Sequence, residues 1–414
     1  MSTRDDFLRD FHHVATIGAT ERNGVERQAA TAEDGETRTW FASWMHNAGR
    51  SVAVDAIGNM FGLYEWNPGA PYVVVGSHLD SQPLAGRFDG AFGVLAAMHA
   101  AKRIDARLDG AVPPYNLAVV NWFNEEGSRF QPSIMGSSVY AGLFDRDEML
   151  AVTDPDGVTV REALADIGFL GTDAAPTAAS YAEIHIEQGR RLEREGIDIG
   201  LVESSWHTQK LDIEVLGEQS HTGATAMADR HDALIAASKI VLQVHDVTDD
   251  FEPEALVSSV GQLFVEPNSP IVVARRVHLV ADLRSGDPQI VQGARDKLVR
   301  GIQEVAQTSN LTINVRDFDI RPIRYFREQG VELARRVTEN LGYTARRLPT
   351  MAGHDSVAMN TTVPSVMLFI PSVDGVSHCE REFSTDEEMA KGVDVLTDVA
   401  YELVNGALVD EGMQ

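Results

Sequence analysis

Short apolar runs alternate with segments of helical periodicity in the first part of the chain. Strand-like runs cover residues 72–78 and 117–123, and residues 92–104 between them repeat apolar side chains with the helical period. Runs that are apolar on both faces are typical of strands in a sheet that helices cover on both sides. The pattern predicts an α/β fold, in which sites gather beyond the carboxyl ends of the strands.

The pattern changes in the middle of the chain, where strands with alternating polar residues surround two helices. The predicted order β-α-β-β-α-β is the ferredoxin-like arrangement. Its elements are the strand 210–216, the helix 229–244, the strands 257–265 and 277–283, the helix 288–308 and the strand 311–318.

The first pattern resumes with a helix at 329–341 and a strand at 365–370. A chain of 414 residues also exceeds the usual size of one compact domain. We therefore expect two domains, in which residues 1–208 and 320–414 form an α/β domain and residues 209–319 form an inserted ferredoxin-like α+β domain.

Composition and charge exclude several classes of protein. Hydrophobic residues make up 43% and charged residues 23% of the chain, which is ordinary for a soluble globular protein. The net charge is 35 − 62 = −27, and such a surface repels phosphates and anionic lipids, so we expect neither a nucleic acid nor a membrane as partner.

Cellular location follows from three further features. The chain has no apolar run of the roughly 18 residues that would span a membrane, and its charged start has no apolar signal core. The single cysteine, Cys379, excludes an intramolecular disulfide and fits a reducing compartment. We expect a cytoplasmic protein.

Residues that can bind metals stand at the ends of the predicted strands. His78 and Asp80 end or follow the first strand, and Glu125 and Glu126 follow the second. A metal-binding histidine needs its other ring nitrogen held, and a carboxylate such as Asp80 commonly does this. Asp89 stands just before the predicted helix, where it either caps the helix or bridges two cations.

Two adjacent glutamates at the end of a strand, where the chain bends, can have different roles in hydrolysis. One carboxylate can bind a cation while its neighbour, as general base, takes a proton from the attacking water. His185 and His378 follow further strand-like runs, although each alone is more often a surface or hydrogen-bonded histidine than a ligand. Three histidines with carboxylates at strand ends together favour a metal centre.

The chain resembles the hydantoinase/carbamoylase family of metallopeptidase-type amidohydrolases. That family includes N-carbamoyl-L-amino-acid hydrolases, β-ureidopropionases, allantoate amidohydrolases and ureidoglycolate amidohydrolases. The matching segments cover nearly the whole chain in the family's order and lie at residues 54–59, 76–81, 86–90, 124–130, 185–189, 353–355, 370–372 and 375–378.

The resemblance implies two divalent metal ions per subunit, which would be zinc, manganese, nickel or cobalt, because mixed nitrogen and oxygen ligands do not choose among these. Asp89 would bridge the ions, and Glu125 would be the general base that later donates its proton to the leaving nitrogen. The other implied ligands form one pair for each ion, His78 with His185 and Glu126 with His378.

Four residues match family residues that contact the substrate, namely Gln188, His221, Arg284 and Gly353. His221 would act as a catalytic donor that reaches the partner subunit's active site and polarises the scissile carbonyl. This implies a homodimer, a catalytic metal-binding role for the larger domain, and a lid or dimerisation role for the inserted one. Arg284 would grip a substrate carboxylate. A hydrated loop histidine and an exposed strand-end arginine are the ordinary alternatives.

Ile271 departs from the family pattern, which usually has an asparagine thirteen residues before the arginine. Isoleucine cannot form a side-chain hydrogen bond, so one polar contact is missing and the specificity is in doubt. Asn268 could substitute, although a turn is the simpler role for it.

Residues 222–227, after His221, also differ from the family loop. Cys379 is expected to pack beside His378 rather than to react.

The leading hypothesis is hydrolysis of a linear C–N amide-type bond, in particular an N-carbamoyl (ureido) group on a small carboxylated substrate such as an N-carbamoyl amino acid. One alternative is an allantoate or ureidoglycolate type of amidohydrolase. A second is an N-acyl amino acid deacylase or dipeptidase, which would release amine and acid without ammonia. A third is a non-enzymatic binding protein, against which the complete ligand set counts.

Overall fold

The computed structural model describes residues 3–408. They form two compact units. The larger unit contains the described residues up to Ser204 and from Tyr325 onward, and the smaller unit is Ser205–Arg324. The smaller unit begins earlier and ends later than the predicted 209–319, because its first strand starts at His207 and its last strand extends to Arg321. Among the described residues, none of the helices is long and apolar enough to cross a membrane.

Helices and strands both occur throughout the chain. Before the inserted unit they are α1 (Thr3–Val14), α2 (Ala32–Asn47), β1 (Ser51–Val54), β2 (Met60–Tyr64), β3 (Tyr72–His78), α3 (Asp89–Leu108), β4 (Asn116–Trp122), α4 (Met135–Tyr140), α5 (Arg146–Leu150), α6 (Val160–Asp166), β5 (Ala178–Ile186), α7 (Arg191–Glu195) and β6 (Ile199–Ser205). The inserted unit adds β7 (His207–Leu216), β8 (Ser220–His221), α8 (Ala233–Asp246), β9 (Val257–Glu266), β10 (Val272–Val273), β11 (Arg276–Ser285), α9 (Pro288–Ser309) and β12 (Thr312–Arg321). After it come α10 (Glu328–Asn340), β13 (Ala345–Thr350), α11 (Asp355–Met359), β14 (Ser365–Ile370) and α12 (Asp386–Val404).

The larger unit is built on one mixed eight-stranded sheet, in the order β1-β2-β4-β3-β5-β14-β6-β13. The four central strands β4, β3, β5 and β14 run parallel. Every residue of β4 and of β14 is buried, and α3 packs over β3 and β5 with α12 beside it. The predicted α/β class is confirmed, and the parallel strands bring their carboxyl ends to one edge of the sheet.

The smaller unit has a four-stranded antiparallel sheet in the order β12-β7-β11-β9. Every second residue of β7 and of β11 is buried under α8 and α9, as the alternating pattern predicts. The element order and strand order are those of the predicted ferredoxin-like arrangement. The short pair β8 and β10 lies outside the prediction.

Phe92 lies in the core of the larger unit, fully buried, with its ring 6.2 Å from that of Phe7 in an edge-on contact. We expect Phe92→Ala to lower the free energy of unfolding by about 3–5 kcal/mol, because the removed ring leaves a cavity. Chemical denaturation measures the loss. Val112→Ala, at a side chain that is 65% exposed, is the control and should change it by less than about 0.5 kcal/mol. A similarly small loss in Phe92→Ala would contradict the packing.

Candidate metal centre

The predicted ligands gather at the carboxyl edge of the parallel strands in the larger unit. His78 ends β3, and His185 lies one residue before the end of β5. Glu125 and Glu126 follow β4, and Asp89 is the first residue of α3. The edge thus brings together side chains that lie far apart in the sequence.

His78, Asp89 and His185 form a first donor group, in which one side-chain ligand atom from each residue lies within 4.8 Å of the others. Nδ1 of His78 lies 3.0 Å from the carbonyl oxygen of Asp80, and Nδ1 of His185 lies 3.0 Å from that of Ile186. A carbonyl oxygen can only accept, so Nδ1 carries the proton in each neutral ring. Nε2 therefore keeps its lone pair for a cation.

Asp89, Glu126 and His378 form a second donor group of the same dimensions. Nε2 of His378 lies 3.2 Å from Oδ2 of Asp89 and 3.5 Å from Oε2 of Glu126. The other oxygen of Asp89, Oδ1, lies 2.7 Å from Nε2 of His185. Asp89 thus presents one oxygen to each group.

The electrostatics of the donor groups fit divalent cations. Within residues 3–408, Oδ2 of Asp89 is buried and accepts no hydrogen bond. Burial and the charge of Asp89 raise the pKa of Glu126 to about 7. Burial opposes a charge on His378, yet Glu126 and Asp89 raise its pKa to about 10. The buried carboxylates therefore favour positive charge at this position, and a metal ion would supply it.

Glu125 stands beside the first group, with Oε2 at 3.6 Å from Nε2 of His78. Burial raises the pKa of Glu125 well above its ordinary value, although His78 opposes the shift. A carboxylate with a raised pKa has the higher proton affinity that a general base needs.

Asp80 contacts both His78 and the peptide that carries the two glutamates. Its carbonyl oxygen, rather than its carboxylate, accepts from His78, because the carboxylate Oδ1 is 3.6 Å from Nδ1. The carboxylate instead accepts from the backbone N–H groups of Glu125 and Glu126, at 3.2 and 3.3 Å. Asp80 therefore orients the peptide that carries the two glutamates.

Gln188 and Gly353, two predicted substrate contacts, lie in the larger unit. Nε2 of Gln188 donates to Oδ1 of Asp89 at 3.3 Å and to Oγ of Ser377 at 3.1 Å. Its Oε1 is buried and has no hydrogen-bond partner among the described residues, so the carbonyl oxygen of this amide is available to a ligand. Gly353 is half-buried in the loop before α11.

The structure also reveals two residues near the donor groups to which the sequence assigned no role. The ring of His354 meets that of His185 edge-on at 4.6 Å, and burial and His185 hold its pKa well below the ordinary value. Glu382 is a buried carboxylate in the loop before α12. Its sequence neighbourhood contains a second glutamate, Glu380, and nothing local distinguishes the two.

His221 lies on β8 of the smaller unit and is exposed. Its Nδ1 accepts from the backbone N–H groups of Gly223 and Ala224, at 2.9 and 3.1 Å. The ring proton of the neutral imidazole therefore sits on Nε2, which can donate to an oxyanion. Ile271 lies beside this loop, because β10 pairs with β8 and the carbonyl of Ile271 accepts from Thr222 at 3.3 Å.

Arg284 lies at the end of β11 and is half-buried. Its guanidinium donates to both carboxylate oxygens of Asp282, with Nη2 at 2.8 Å from Oδ2 and Nε at 3.1 Å from Oδ1. A substrate carboxylate would share this guanidinium with Asp282.

Imidazole and carboxylate donors at the carboxyl edge of a parallel sheet, in a chain with an inserted ferredoxin-like unit, are a donor set that suits divalent transition metals. Residues 74–402 match the model of peptidase family M20/M25/M40, and the chain belongs to this family.

Relatives and solved structures agree with this assignment. A Mycolicibacterium smegmatis protein named as a hydrolase is 50% identical over 97% of this chain and 94% of its own. An N-carbamoyl-L-amino-acid amidohydrolase from Rhizobium meliloti is 36% identical over 92% of each chain, and the allantoate amidohydrolase of Bacillus subtilis is 30% identical over 97% and 98%. An amidase of the hydantoinase/carbamoylase family from Burkholderia vietnamiensis superposes with a TM-score of 0.93 at 33% identity, covering 98% of both chains. The family resemblance and the class, a metal-dependent amidohydrolase, are confirmed.

Gly90 allows α3 to approach the imidazole of His78. A Cβ at this position would stand 2.3 Å from both Nε2 and Cδ2 of that ring. We expect Gly90→Ala to weaken cation binding by about 10-fold or more, because the ring of a ligand must move. Calorimetric titration of the metal-free protein with Mn²⁺ measures the change. Gly261→Ala, whose Cβ would meet nothing within 4 Å, is the matched control. Unchanged affinity in Gly90→Ala would contradict this role.

Proposed function

We propose that this protein hydrolyses an N-carbamoyl (ureido) group on a small carboxylated substrate such as an N-carbamoyl amino acid. The observation that carries the proposal is the pair of donor groups that share Asp89, with Glu125 beside them. His78 and His185 would hold one divalent cation, and Glu126 and His378 the other. When bound, the cations act as Lewis acids that acidify water and polarise the scissile carbonyl.

Glu125 is the general base in this mechanism. It takes a proton from the attacking water and then delivers that proton to the leaving nitrogen. Its burial suits both steps, because a carboxyl group whose pKa is raised binds the proton readily and holds it until the proton is transferred to the leaving nitrogen. Asp80 holds the backbone of Glu125 and so keeps the carboxylate in place.

His221 is the donor to the developing oxyanion, acting in the site of the partner subunit. Acceptance of two backbone N–H groups by Nδ1 supports this role, because it keeps the donor proton on Nε2. Arg284 binds the substrate carboxylate, with Asp282 holding the guanidinium in place.

A homodimer follows from this assignment, with residues 1–208 and 320–414 as the catalytic domain and 209–319 as a lid and dimerisation domain. The smaller unit has a surface that supports pairing with a second copy. β9 is an edge strand of its sheet and carries the exposed Phe264, and α8 exposes Ile235 and Leu242. Apolar side chains beside an open strand edge favour symmetric association.

Two other hydrolase substrates have specific support. Allantoate and ureidoglycolate contain the same ureido and carboxylate groups, and a relative of this chain is named as an allantoate amidohydrolase. An N-acyl amino acid or a dipeptide is favoured by Ile271, because an apolar side chain beside His221 replaces a hydrogen-bonding one.

The products distinguish these functions. We expect the metal-loaded protein to release ammonia from an N-carbamoyl amino acid, and a chelator to abolish the reaction. Glu125→Gln should lower kcat by about 10²–10⁴-fold, because the base is lost, while cation binding is retained. Glu148→Gln, at an exposed carboxylate, is the control.

A panel of carbamoyl, formyl and acyl amino acids with allantoate, assayed separately for ammonia and amine, completes the test. Amine without ammonia would favour the deacylase. No ammonia from any ureide would overturn the proposal, and binding of less than one metal equivalent would favour a non-enzymatic protein.

Action of His221 across the dimer can be tested by mixing inactive variants. His221→Ala and Glu125→Gln each damage every site of their own dimer, but a mixed dimer retains one intact site if His221 acts on the partner. Because about half of randomly re-formed dimers are mixed and each has one intact site of two, we expect about a quarter of the wild-type activity. A mixture that stays inactive would place His221 in its own subunit's site.

A further inference from the structure

Glu382 has a buried carboxylate that accepts hydrogen bonds from the backbones of Asp89 and His378. These two residues belong to the second donor group, and Glu382 does not. It is 4% exposed. Its Oε1 accepts from the backbone N–H groups of Phe88 and Asp89, each at 3.1 Å. Its Oε2 accepts from Oγ of Ser377 at 2.7 Å and from the backbone N–H of His378 at 3.2 Å. Four donors from two distant segments therefore converge on one carboxylate.

The first turn of α3 needs a capping group, because its N–H groups have no partner within the helix. Phe88 precedes the helix and has no polar side-chain atom, and the oxygens of Asp89 face His185 and His378. Glu382 supplies the cap from the other end of the chain, and its charge stands at the positive end of the helix dipole. Oδ1 of Asp89 also accepts from the N–H group of Gly90 at 3.1 Å, and Oδ2 faces His378.

The peptide of His378 also depends on this carboxylate. His378 has φ of +55°, in the left-handed region that a non-glycine residue occupies only at a cost. Glu382 stabilises that conformation by accepting its N–H group together with the hydroxyl of Ser377. The close approach requires a glycine at position 86, where a Cβ would stand 2.1 Å from Oε1 of Glu382.

We propose that Glu382 is a positioning residue that sets the separation of Asp89 and His378, and so the affinity of the second donor group for its cation. The inference rests on the proposed two-cation site. Glu382 acts through the backbones of the two ligands. Both of its oxygens must accept, and since the nitrogen of a glutamine amide cannot accept, Glu382→Gln would set that nitrogen against two donors.

The test is calorimetric titration of metal-free protein with Mn²⁺, repeated with Co²⁺ while its visible absorption is followed. We expect the wild type to bind two cations. Glu382→Gln should bind the cation of the second donor group about 10–100-fold more weakly, the usual effect of losing a group that orients ligands. The other cation should be weakened less, because Asp89 is the one ligand of the first group that Glu382 holds. Glu387→Gln removes an exposed carboxylate of α12 and should match the wild type.

Two results from Glu382→Gln would overturn the inference: both cations bound as tightly as in the wild type, or both weakened equally. The second result would indicate a general structural role. If this variant does not fold, Glu382→Asp takes its place, because it keeps the charge but is one methylene shorter. A smaller loss that is greater for one cation than for the other is then expected, and wild-type affinity at both sites would overturn the inference.

The wild type alone reports on the underlying proposal. If it binds fewer than two cations, the two-cation site and the role of Glu382 are overturned together. If it binds two and the variants bind them unchanged, only the role of Glu382 is overturned. The titration uses no substrate, so the outcome is independent of which C–N bond the protein cleaves.

Discussion

The carboxylate of Asp89 has to remain charged while it is buried between two imidazoles. Burial opposes its ionisation, but His185 and His378 hold its pKa well below the ordinary value. Glu125 and Glu126 share the same poorly solvated space, and burial raises the pKa of each. Charges of one sign can be gathered in this way only where positive charge compensates them. The rest of the larger unit can be understood as the structure that makes this arrangement possible.

The parallel sheet provides the first part of that structure, since it delivers His78, Glu126 and His185 to one edge. Close packing provides the second part. Gly90 lets α3 reach His78, and Glu382 accepts from the N–H groups of Phe88 and Asp89 at the start of the helix, while the oxygens of Asp89 face His185 and His378. Much of this positioning acts through the backbone, because the carboxylates of Asp80 and Glu382 accept from peptide N–H groups rather than from ligand side chains. A ligand held by its own backbone can be oriented without competition for its side chain.

Contacts within the smaller unit orient two of its own polar side chains. His221 has its tautomer set by two N–H groups of its own loop, and Arg284 has its guanidinium held by Asp282. Ile271 lies next to the loop of His221. Its departure from the family pattern therefore places an apolar side chain beside the loop of His221.

The local pattern of apolar and polar residues was sufficient to predict the buried strands β3, β4 and β14, whose apolar runs are continuous. It was also sufficient to predict the alternating strands of the smaller unit. It was insufficient for β1, β2, β6 and β13. These strands are short or only partly buried, and their pairing depends on neighbours that lie far away in the sequence. The start of α12 was also missed, although the capping box of Thr385 and Glu388 is a local signal for it.

The candidate site likewise has features that the sequence determines and features that depend on the tertiary structure. The sequence by itself determined the ligand types and their order, because motifs such as His78-Leu79-Asp80 and Glu125-Glu126 are contiguous. Only the tertiary structure decided that Asp89 faces two histidines instead of capping α3, and that Glu382 rather than Glu380 is the buried carboxylate. These outcomes depend on which segments meet in space, and local periodicity reports only which face of a segment is buried.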